Sequence, residues 1–320
     1  MISLTGDELS VDVDETLGGE IQQITFGVDE LLAFHPWHAP VGVSRSRSYG
    51  DPKLDWLSEY RGGWQLLVPN AGAASTVDGI PLPFHGEWSR TRSDAVEQNS
   101  ASVTLQAGTR LPLLVRRRIE ILTAPARVAV TTTVENLVDR PVPFVWGEHP
   151  AFAVAPGDRI DVPAGAVIDG DDPERRSVPW PSSTAGGLHA NGLDRIPTGT
   201  PVQGVHYLPD RPAGWAALRR PQVGVGLAWD LADFPHLWIW HEIGGPEFPF
   251  YGRTSLVAIE PSSSWPGDGL AAAIERGQAH WLAPGTSRSA TVTVVPFRPG
   301  AGPVSGVDHD GTVSFGKAPT

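Results

Sequence analysis

Apolar runs of strand length recur along almost the whole chain, and each is bounded by turn residues. The clearest are "GEIQQITFG", "WQLLVP", "SASVTLQA", "LPLLVRRRIEIL", "RVAVTTTVEN", "VPFVWG", "VGVGLAWD", "HLWIWHEI", "SLVAIEP" and "SATVTVVPF". Such runs, separated by Gly, Pro, Asp and Asn, are typical of antiparallel strands. The 36 Gly and 31 Pro of the 320 residues are spread between the runs. The sequence therefore predicts an all-β fold with few short helices.

Two of these runs form the most definite local prediction. "LLVRRRIEIL" and "RVAVTTTVEN" are joined by residues 123–126 and predict a hairpin. Because strand side chains alternate, Val115, Ile119 and Ile121 should face away from Arg116 and its neighbours on the other side. One helix is predicted, in "GDGLAAAIERGQA", residues 267–279.

The sequence has no obvious internal repeat and no polar linker between two cores. We expect a single domain over residues 1–298, followed by a small polar tail over 299–320 that should fray. Residues 157–201 have little periodicity and are expected to form a long loop, which would be either functional or mobile.

The net charge of the chain, and the residue types that are missing from it, exclude several classes of function. The formal net charge is −12, with a pI near 5.2, and there is no cysteine. Nucleic acid and anionic membranes attract clustered Lys and Arg, so neither is an expected partner. The acidic start "MISLTGDELSVDVDE" lacks a signal-peptide pattern, and no run reaches the roughly 18 apolar residues of a membrane span. We expect a cytoplasmic protein that binds a neutral small molecule.

Common cofactor and catalytic motifs are absent from the sequence. It contains no phosphate-binding G-x-x-x-x-G-K-[ST], no G-x-G-x-x-G that enters a helix, and no G-x-S-x-G elbow. His35 with His38, and His85 with Glu87, could ligate a metal in a β-barrel, although packing in a turn explains the first pair better. We therefore expect no metal and no cofactor.

Three segments place a titratable side chain at the end of an apolar strand, beside Pro or Gly. They are "PLPFHGEW" with His85, "VWGEHPAF" with His149 and "SLVAIEPSSSWP" with Glu260. In "LVAIE", alternation puts Glu260 on the same face as Leu256 and Ala258. A carboxylate shielded from water has a raised pKa, which suits a general base. Each residue alone could equally have a structural or solvated role.

The strand "HLWIWHEI" offers a surface for a sugar. His236, Trp238, Trp240 and Glu242 alternate onto one of its faces. Two indoles with polar neighbours can stack on the C–H faces of a sugar ring, while core packing remains the alternative for both.

The segment "VENLVDRPVPFVWGEHPAF", with "HGE" before it and "AIEP" after it, resembles the aldose 1-epimerase (galactose mutarotase-like) family. "LGGEIQQITFGVDELLAF" and "YRGGWQLLVPNAG" resemble that family's opening strands, so the likeness covers roughly residues 17–297. It implies a large antiparallel β-sandwich, the galactose mutarotase-like supersandwich, with a sugar cleft on a concave face. It also implies that Glu260 is the general base, that His149 is the general acid, and that His85 contacts the sugar.

The chain departs from this family's pattern at several positions. "VPNAG" keeps Asn70 as a sugar contact but has no adjacent Arg, and Ala151 replaces the aromatic residue after "HP". Asp194 is the only candidate for the family's sugar-contacting aspartate. Arg253 could orient the base or bind an anionic group such as a sugar phosphate. These differences leave the substrate open.

The sequence supports three functions. The first is cofactor-independent interconversion of the anomers of an aldose by the Glu260/His149 pair. The second is a glycoside hydrolase or lyase, in which Glu148 or Glu242 would have to pair with Glu260; alternation points Glu148 away from His149. The third is a non-catalytic carbohydrate-binding protein of the same fold. The identity of the sugar and the oligomeric state are left open.

Overall fold

The structure, a computed structural model, describes residues 1–35, 48, 50–184 and 192–317. Over these residues the chain forms the following strands in chain order: β1 Ile2–Thr5, β2 Leu9–Asp14, β3 Glu20–Phe26, β4 Asp29–Glu30, β5 Trp64–Leu67, β6 Ser75–Val77, β7 Ile80–Leu82, β8 Asp94–Gln98, β9 Ser102–Gly108, β10 Leu113–Leu122, β11 Arg127–Asn136, β12 Val142–Phe144, β13 Gly147–Ala153, β14 Arg159–Asp161, β15 Ala166–Asp169, β16 Ser177–Pro179, β17 Val202–Leu208, β18 Trp215–Arg219, β19 Gly224–Trp229, β20 His236–Ile243, β21 Ser255–Ser262, β22 His280–Leu282, β23 Ser287–Phe297, β24 Val304–Val307 and β25 Val313–Phe315. Two α-helices, α1 Pro52–Glu59 and α2 Leu270–Glu275, and two short 3-10 helices, Glu15–Leu17 and Trp88–Arg90, complete the described elements.

Two large antiparallel sheets account for most of the strands. Among the described residues, the larger sheet has 11 strands in the order β1-β2-β3-β5-β13-β21-β20-β17-β15-β16, with β4 on β3. The smaller has eight, in the order β14-β18-β19-β23-β11-β10-β9-β8. Side chains from both sheets, such as Phe152 and Ile239 from one and Val115 and Val292 from the other, share one apolar core. The predicted all-β sandwich is confirmed.

The predicted hairpin is confirmed. Strands β10 and β11 pair along their full length, from Leu113 opposite Asn136 to Leu122 opposite Arg127. Val115 and Ile119 are fully buried, while Arg116 is partly exposed. Arg117, which lies on the same buried face of β10 as Val115 and Ile119, is also fully buried and is the polar exception among these residues.

Arg117 is held between the two sheets by a carboxylate from the other layer. Its Nη2 lies 3.0 Å from Oε2 of Glu148 on β13. Trp64 Nε1 donates to the same oxygen at 2.6 Å, and Thr132 Oγ1 donates to Oε1 at 3.1 Å. Glu148 therefore points into the core, as alternation predicted, and the cluster joins β10 and β11 to β5 and β13.

The helices differ from the prediction in number and length. α2 lies inside the predicted 267–279 segment but is shorter. α1 was not predicted, although "DPKLDWLSE" contains its signals: Asp51 accepts hydrogen bonds from the backbone N–H groups of Lys53 and Leu54, and Pro52 begins the helix. Neither helix, nor any other helix in the described part of the chain, is long and apolar enough to cross a membrane.

The structure corrects two expectations about irregular segments, the first only in part. Residues 157–201 were expected to form a loop, yet β14, β15 and β16 lie there and pair with strands of the two sheets. Residues 185–191 are outside the described range. The tail was expected to fray, but β24 and β25 form a hairpin. Val304 and Val307 are buried against Trp215 and Phe297, so apolar contact, which the polar composition concealed, holds the hairpin to the sheet.

We predict that Arg117→Met lowers the free energy of unfolding by about 3–5 kcal/mol, because it leaves the Glu148 charge buried without its partner. The double variant Arg117→Met/Glu148→Met should recover a large part of that loss. Urea unfolding followed by tryptophan fluorescence measures both. Costs that simply add in the double variant would contradict the coupling.

Candidate active site

The pairing of four strands brings distant residues together on the concave face of the larger sheet. β13 and β21 pair with Gly147 opposite Ser262 and Ala151 opposite Ala258, which sets His149 opposite Glu260. β20 pairs with β21, and β17 with β20, in continuous register. Residues that lie opposite one another point to the same face. They form a first row of Tyr207, Trp238, Glu260 and His149, a second row of Val205, Trp240, Ala258 and Ala151, and a third row of Gln203, Glu242, Leu256 and Ala153.

His149 and Glu260 form a close buried pair in the first row. His149 Nε2 lies 3.5 Å from Glu260 Oε1, and the two side chains are only 2% and 4% exposed. Burial lowers the pKa of the His149 imidazole to about 4 and raises the pKa of the Glu260 carboxyl well above its ordinary value. His149 Nδ1 and Glu260 Oε2 have no hydrogen-bond partner among the described residues. Both groups are therefore favoured in their neutral forms, and each has a buried polar atom that no described side chain satisfies.

His85 approaches this pair from the chain between β7 and the second 3-10 helix. Its ring centroid lies 5.6 Å from that of His149. The Gly72 backbone N–H donates to His85 Nδ1 at 3.1 Å, so the neutral ring carries its proton on Nε2. Burial, with a contribution from His149, lowers the pKa of His85 well below its ordinary value. His85 can therefore donate a hydrogen bond from Nε2.

The helix α1, which the sequence analysis missed, covers the pair with aromatic rings. Trp56 lies 5.4 Å from His149 and 4.7 Å from His85, edge to face. Tyr60, at the end of α1, lies 5.5 Å from His149. Burial, with a contribution from Glu260, raises the pKa of Tyr60 well above its ordinary value. These rings exclude water from the imidazole, which is the physical cause of its lowered pKa.

An open cavity of about 500 Å³ lies above the three rows. Trp240 is half-buried at its floor, 5.8 Å from His149, whereas Trp238 is almost fully buried and donates from Nε1 to the Ser264 carbonyl at 2.8 Å. Both predicted tryptophans thus reach the cavity, but only Trp240 offers a ring face of any size. The polar and aromatic residues that line the cavity are Lys53, Trp56, Phe84, His85, His149, Asp171, Gln203, Tyr207, Trp238, Trp240, Glu242, Glu247, Phe248, Phe250 and Glu260.

Two predicted sugar contacts, Asn70 and Arg253, do not line this cavity. Asn70 is fully buried: Nδ2 donates to the Ala73 and Pro83 carbonyls, and Oδ1 accepts from the Leu270 N–H at 2.6 Å. The amide of Asn70 is therefore engaged in backbone hydrogen bonds, one of which holds the first residue of α2. Arg253 is exposed, and its guanidinium lies 5.9 Å from the Tyr251 ring centroid.

The weaker sequence candidates are also engaged elsewhere. Asp194 pairs with Arg159 at 2.7 Å and does not line the cavity. Glu87 pairs with Arg110 at 3.1 Å, so His85 and Glu87 do not converge on one point. His38 lies outside the described residues. Among those described, no group of three or more His, Asp or Glu side chains is arranged to hold a metal.

Comparisons with known proteins agree with the fold. A family model described as "Domain of unknown function (DUF4432)" matches residues 3–295. No curated protein matches the chain in sequence. Among solved structures, the Slr1438 protein of Synechocystis has a TM-score of 0.71 at 16% identity, covering 93% of this chain and 96% of its own.

Two further solved structures have names that bear on the resemblance. An Escherichia coli protein, provisionally assigned as an aldose 1-epimerase, has a TM-score of 0.68 at 18% identity, covering 93% of this chain and 98% of its own. A galactose mutarotase-like protein from Lactobacillus casei has a TM-score of 0.63 at 18% identity, covering 93% of this chain and 100% of its own. The resemblance to this group is confirmed at the level of the fold.

The buried imidazole should make stability depend on pH. The folded pKa of His149 is about 4, below the ordinary value of 6.5, so its contribution is fully present above pH 6.5 and is lost as pH falls towards 4. In His149→Asn, the loss of unfolding free energy between pH 6.5 and 4 should be smaller than in the wild type by up to about 3 kcal/mol. Urea unfolding at a series of pH values measures this.

His280→Asn is the positive control for this measurement. Burial also lowers the pKa of His280 to about 4, and His280 does not line the cavity. Its removal should flatten the same part of the pH profile. A His149→Asn profile parallel to that of the wild type would show that His149 accepts a proton in the folded state without cost.

Proposed function

Since the chain belongs to the DUF4432 family, whose description names no activity, we argue its function from its own residues and propose that it is a cofactor-independent aldose 1-epimerase. The observation that carries the proposal is the buried His149/Glu260 pair, 3.5 Å apart, beneath an open cavity. Interconversion of anomers needs one proton removed and one proton supplied at two oxygens of the same carbon. Two adjacent acid/base groups suit that task, and neither a nucleotide nor a metal is required.

The proposed reaction begins by opening the sugar ring. Glu260, as a carboxylate, removes the proton of the C1 hydroxyl, while His149, as an imidazolium, gives a proton to the ring oxygen. The bond between C1 and the ring oxygen breaks, and C1 becomes an aldehyde carbon. Rotation about the C1–C2 bond, followed by the reverse proton transfers, closes the ring as the other anomer.

The pKa shifts suit this sequence of charge states. Ring opening turns a carboxylate and an imidazolium into a carboxylic acid and a neutral imidazole, and burial favours these neutral forms at Glu260 and His149. Burial therefore makes the proton transfers of ring opening favourable once the ion pair has formed, and the bound sugar has to stabilise that ion pair against the neutral resting form. Catalysis follows when a site favours a high-energy species over the bound substrate.

His85 and Trp240 have supporting roles in this proposal. His85 has Nε2–H free of the Gly72 contact, so it would donate to a sugar hydroxyl or to the ring oxygen next to His149. The half-buried Trp240, one row away, would stack on a C–H face of the part of the ligand that extends beyond the acid/base pair. The names of the structural neighbours, an aldose 1-epimerase by provisional assignment and a galactose mutarotase-like protein, agree with the proposal.

The geometry disfavours a glycoside hydrolase. Such enzymes generally use two carboxyl groups about 5–10 Å apart across the scissile bond. Glu148 is in the core with Arg117. Trp238 lies opposite Glu260, and Glu242 is four residues farther along β20, a distance of about 13 Å on a strand. A non-catalytic sugar-binding protein has no need of a buried acid/base pair, so the His149/Glu260 contact favours an enzyme.

We predict that exchange between α and β anomers, measured by two-dimensional exchange NMR on a panel of aldoses, is faster with the protein than in buffer. Glu260→Gln and His149→Ala should each reduce the accelerated rate by about 10²- to 10⁴-fold, since each removes one proton-transfer partner. Both variants should still bind the sugar, as saturation-transfer NMR would detect.

Glu97→Gln is the matched control, because it removes a carboxylate that is 73% exposed on β8 of the other sheet. It should exchange anomers at the wild-type rate. Binding without accelerated exchange for every sugar tested would favour the non-catalytic binding protein.

A further inference from the structure

A second polar pair lies in the cavity floor, away from His149 and Glu260. In the third row, Gln203 Nε2 donates to Glu242 Oε2 at 2.9 Å. Glu242 is only 2% exposed, and both side chains line the cavity. Glu242 Oε1 has no well-formed hydrogen bond within the described residues. Burial raises the pKa of the Glu242 carboxyl, and the nearby Gly245 backbone amide partly opposes that rise. A ligand hydroxyl would reach this pair from the cavity at Gln203, which is partly exposed.

The spacing between the two polar pairs is too long for one sugar ring. Glu242 lies opposite Leu256, four residues from Glu260 on β21, so the pairs are separated by about 13 Å along the strands. With carbon–carbon bonds of about 1.5 Å, a pyranose spans roughly 5 Å between oxygens on opposite sides of its ring. Two linked rings therefore reach from the first row to the third, across Trp240 in the second.

The size of the cavity agrees with this spacing. If each non-hydrogen atom of a hexose takes about half of the volume that one water molecule occupies in the liquid, the sugar would occupy roughly 200 Å³. The cavity measures about 500 Å³, so a monosaccharide would leave more than half of it filled with solvent.

The charges of the lining disfavour a phosphorylated sugar. Asp171 and Glu247 contribute carboxyl groups in addition to Glu242 and Glu260, whose neutral forms burial favours, whereas Lys53 contributes the single ammonium group of the described lining. Arg253, which the sequence analysis considered for an anionic group, does not line the cavity. A phosphate dianion would be repelled by each ionised carboxylate near it, by about 2 kcal/mol at 4 Å even in water.

We propose that Gln203, Glu242 and Trp240 form a second sugar subsite, so that the preferred substrate is an unphosphorylated reducing disaccharide. Its reducing ring lies over His149 and Glu260, and its other ring lies over Trp240 with hydroxyl groups hydrogen-bonded to Gln203 and Glu242. The catalytic end of this assignment rests on the proposed function, whereas the subsite itself does not.

The experiment compares glucose, maltose, cellobiose, lactose and glucose 6-phosphate as substrates in exchange NMR. At least one disaccharide should have a kcat/KM about tenfold above that of glucose, and glucose 6-phosphate should fall below glucose. Gln203→Ala and Glu242→Gln should each lower the disaccharide kcat/KM by about 3- to 10-fold, the value of one or two hydrogen bonds, and change the glucose value less than twofold. Glu97→Gln, far from the cavity, should change neither.

Each outcome bears on one of the two proposals. Glucose and disaccharides that exchange equally well, or variants that slow both alike, would overturn the subsite. If no sugar exchanges, the proposed function fails, and saturation-transfer NMR with the same sugars then tests the subsite alone. Disaccharide binding that is tighter than glucose binding and is weakened by Gln203→Ala would support it; equal binding or no binding would overturn it. Circular dichroism establishes that Glu242→Gln and Gln203→Ala are folded.

Discussion

The continuous antiparallel register through β13, β21, β20 and β17 is the constraint on which the site depends. Successive residues of a strand face opposite sides of a sheet, so this register sorts every side chain of the four strands either into the sandwich core or onto the concave face. Glu148 and His149 show the result most directly. They are neighbours in the chain, yet one is paired with Arg117 in the core and the other faces Glu260 in the cavity. A slip of one residue would exchange these surroundings.

The two buried pairs differ in how their charges are compensated. Glu148 has an arginine, an indole N–H and a hydroxyl around it, and these donors oppose the rise in pKa that burial causes. Burial is the dominant influence on Glu260 and His149, and no cation of the described residues counters it at either group. The first environment suits a structural ion pair. The second keeps an acid and a base poised for proton transfer, because little stabilises either charge until a ligand arrives.

The concave face is organised along the strands as well as across them. The first row holds the acid/base pair, the second holds Trp240, and the third holds the Gln203/Glu242 pair. Helix α1 covers the His149 end with Trp56 and Tyr60, and Gln203 and Glu242 line the cavity at the other end. The same strand pairings would then position the proton-transfer groups at one end of the cavity and the sugar-binding groups at the other.

The sequence by itself determined the ten strands that its apolar runs predicted, the hairpin of β10 and β11, and the faces on which Glu260, Trp238 and Trp240 lie, because these follow from the alternation of residues along one strand. It also identified His85, His149 and Glu260, through the neighbouring Pro or Gly and the family resemblance, although His149 and Glu260 lie within β13 and β21 and not at the strand ends that were expected. It did not predict α1, whose capping signals were overlooked, or the C-terminal hairpin, whose few apolar residues find their contacts only on the finished sheet. Only the tertiary structure decided that Asn70 caps α2, that Arg253 lies outside the cavity, and that Glu242 lies two rows from the acid/base pair. These outcomes depend on which strands become neighbours and in what register, and that is set by the packing of the whole chain.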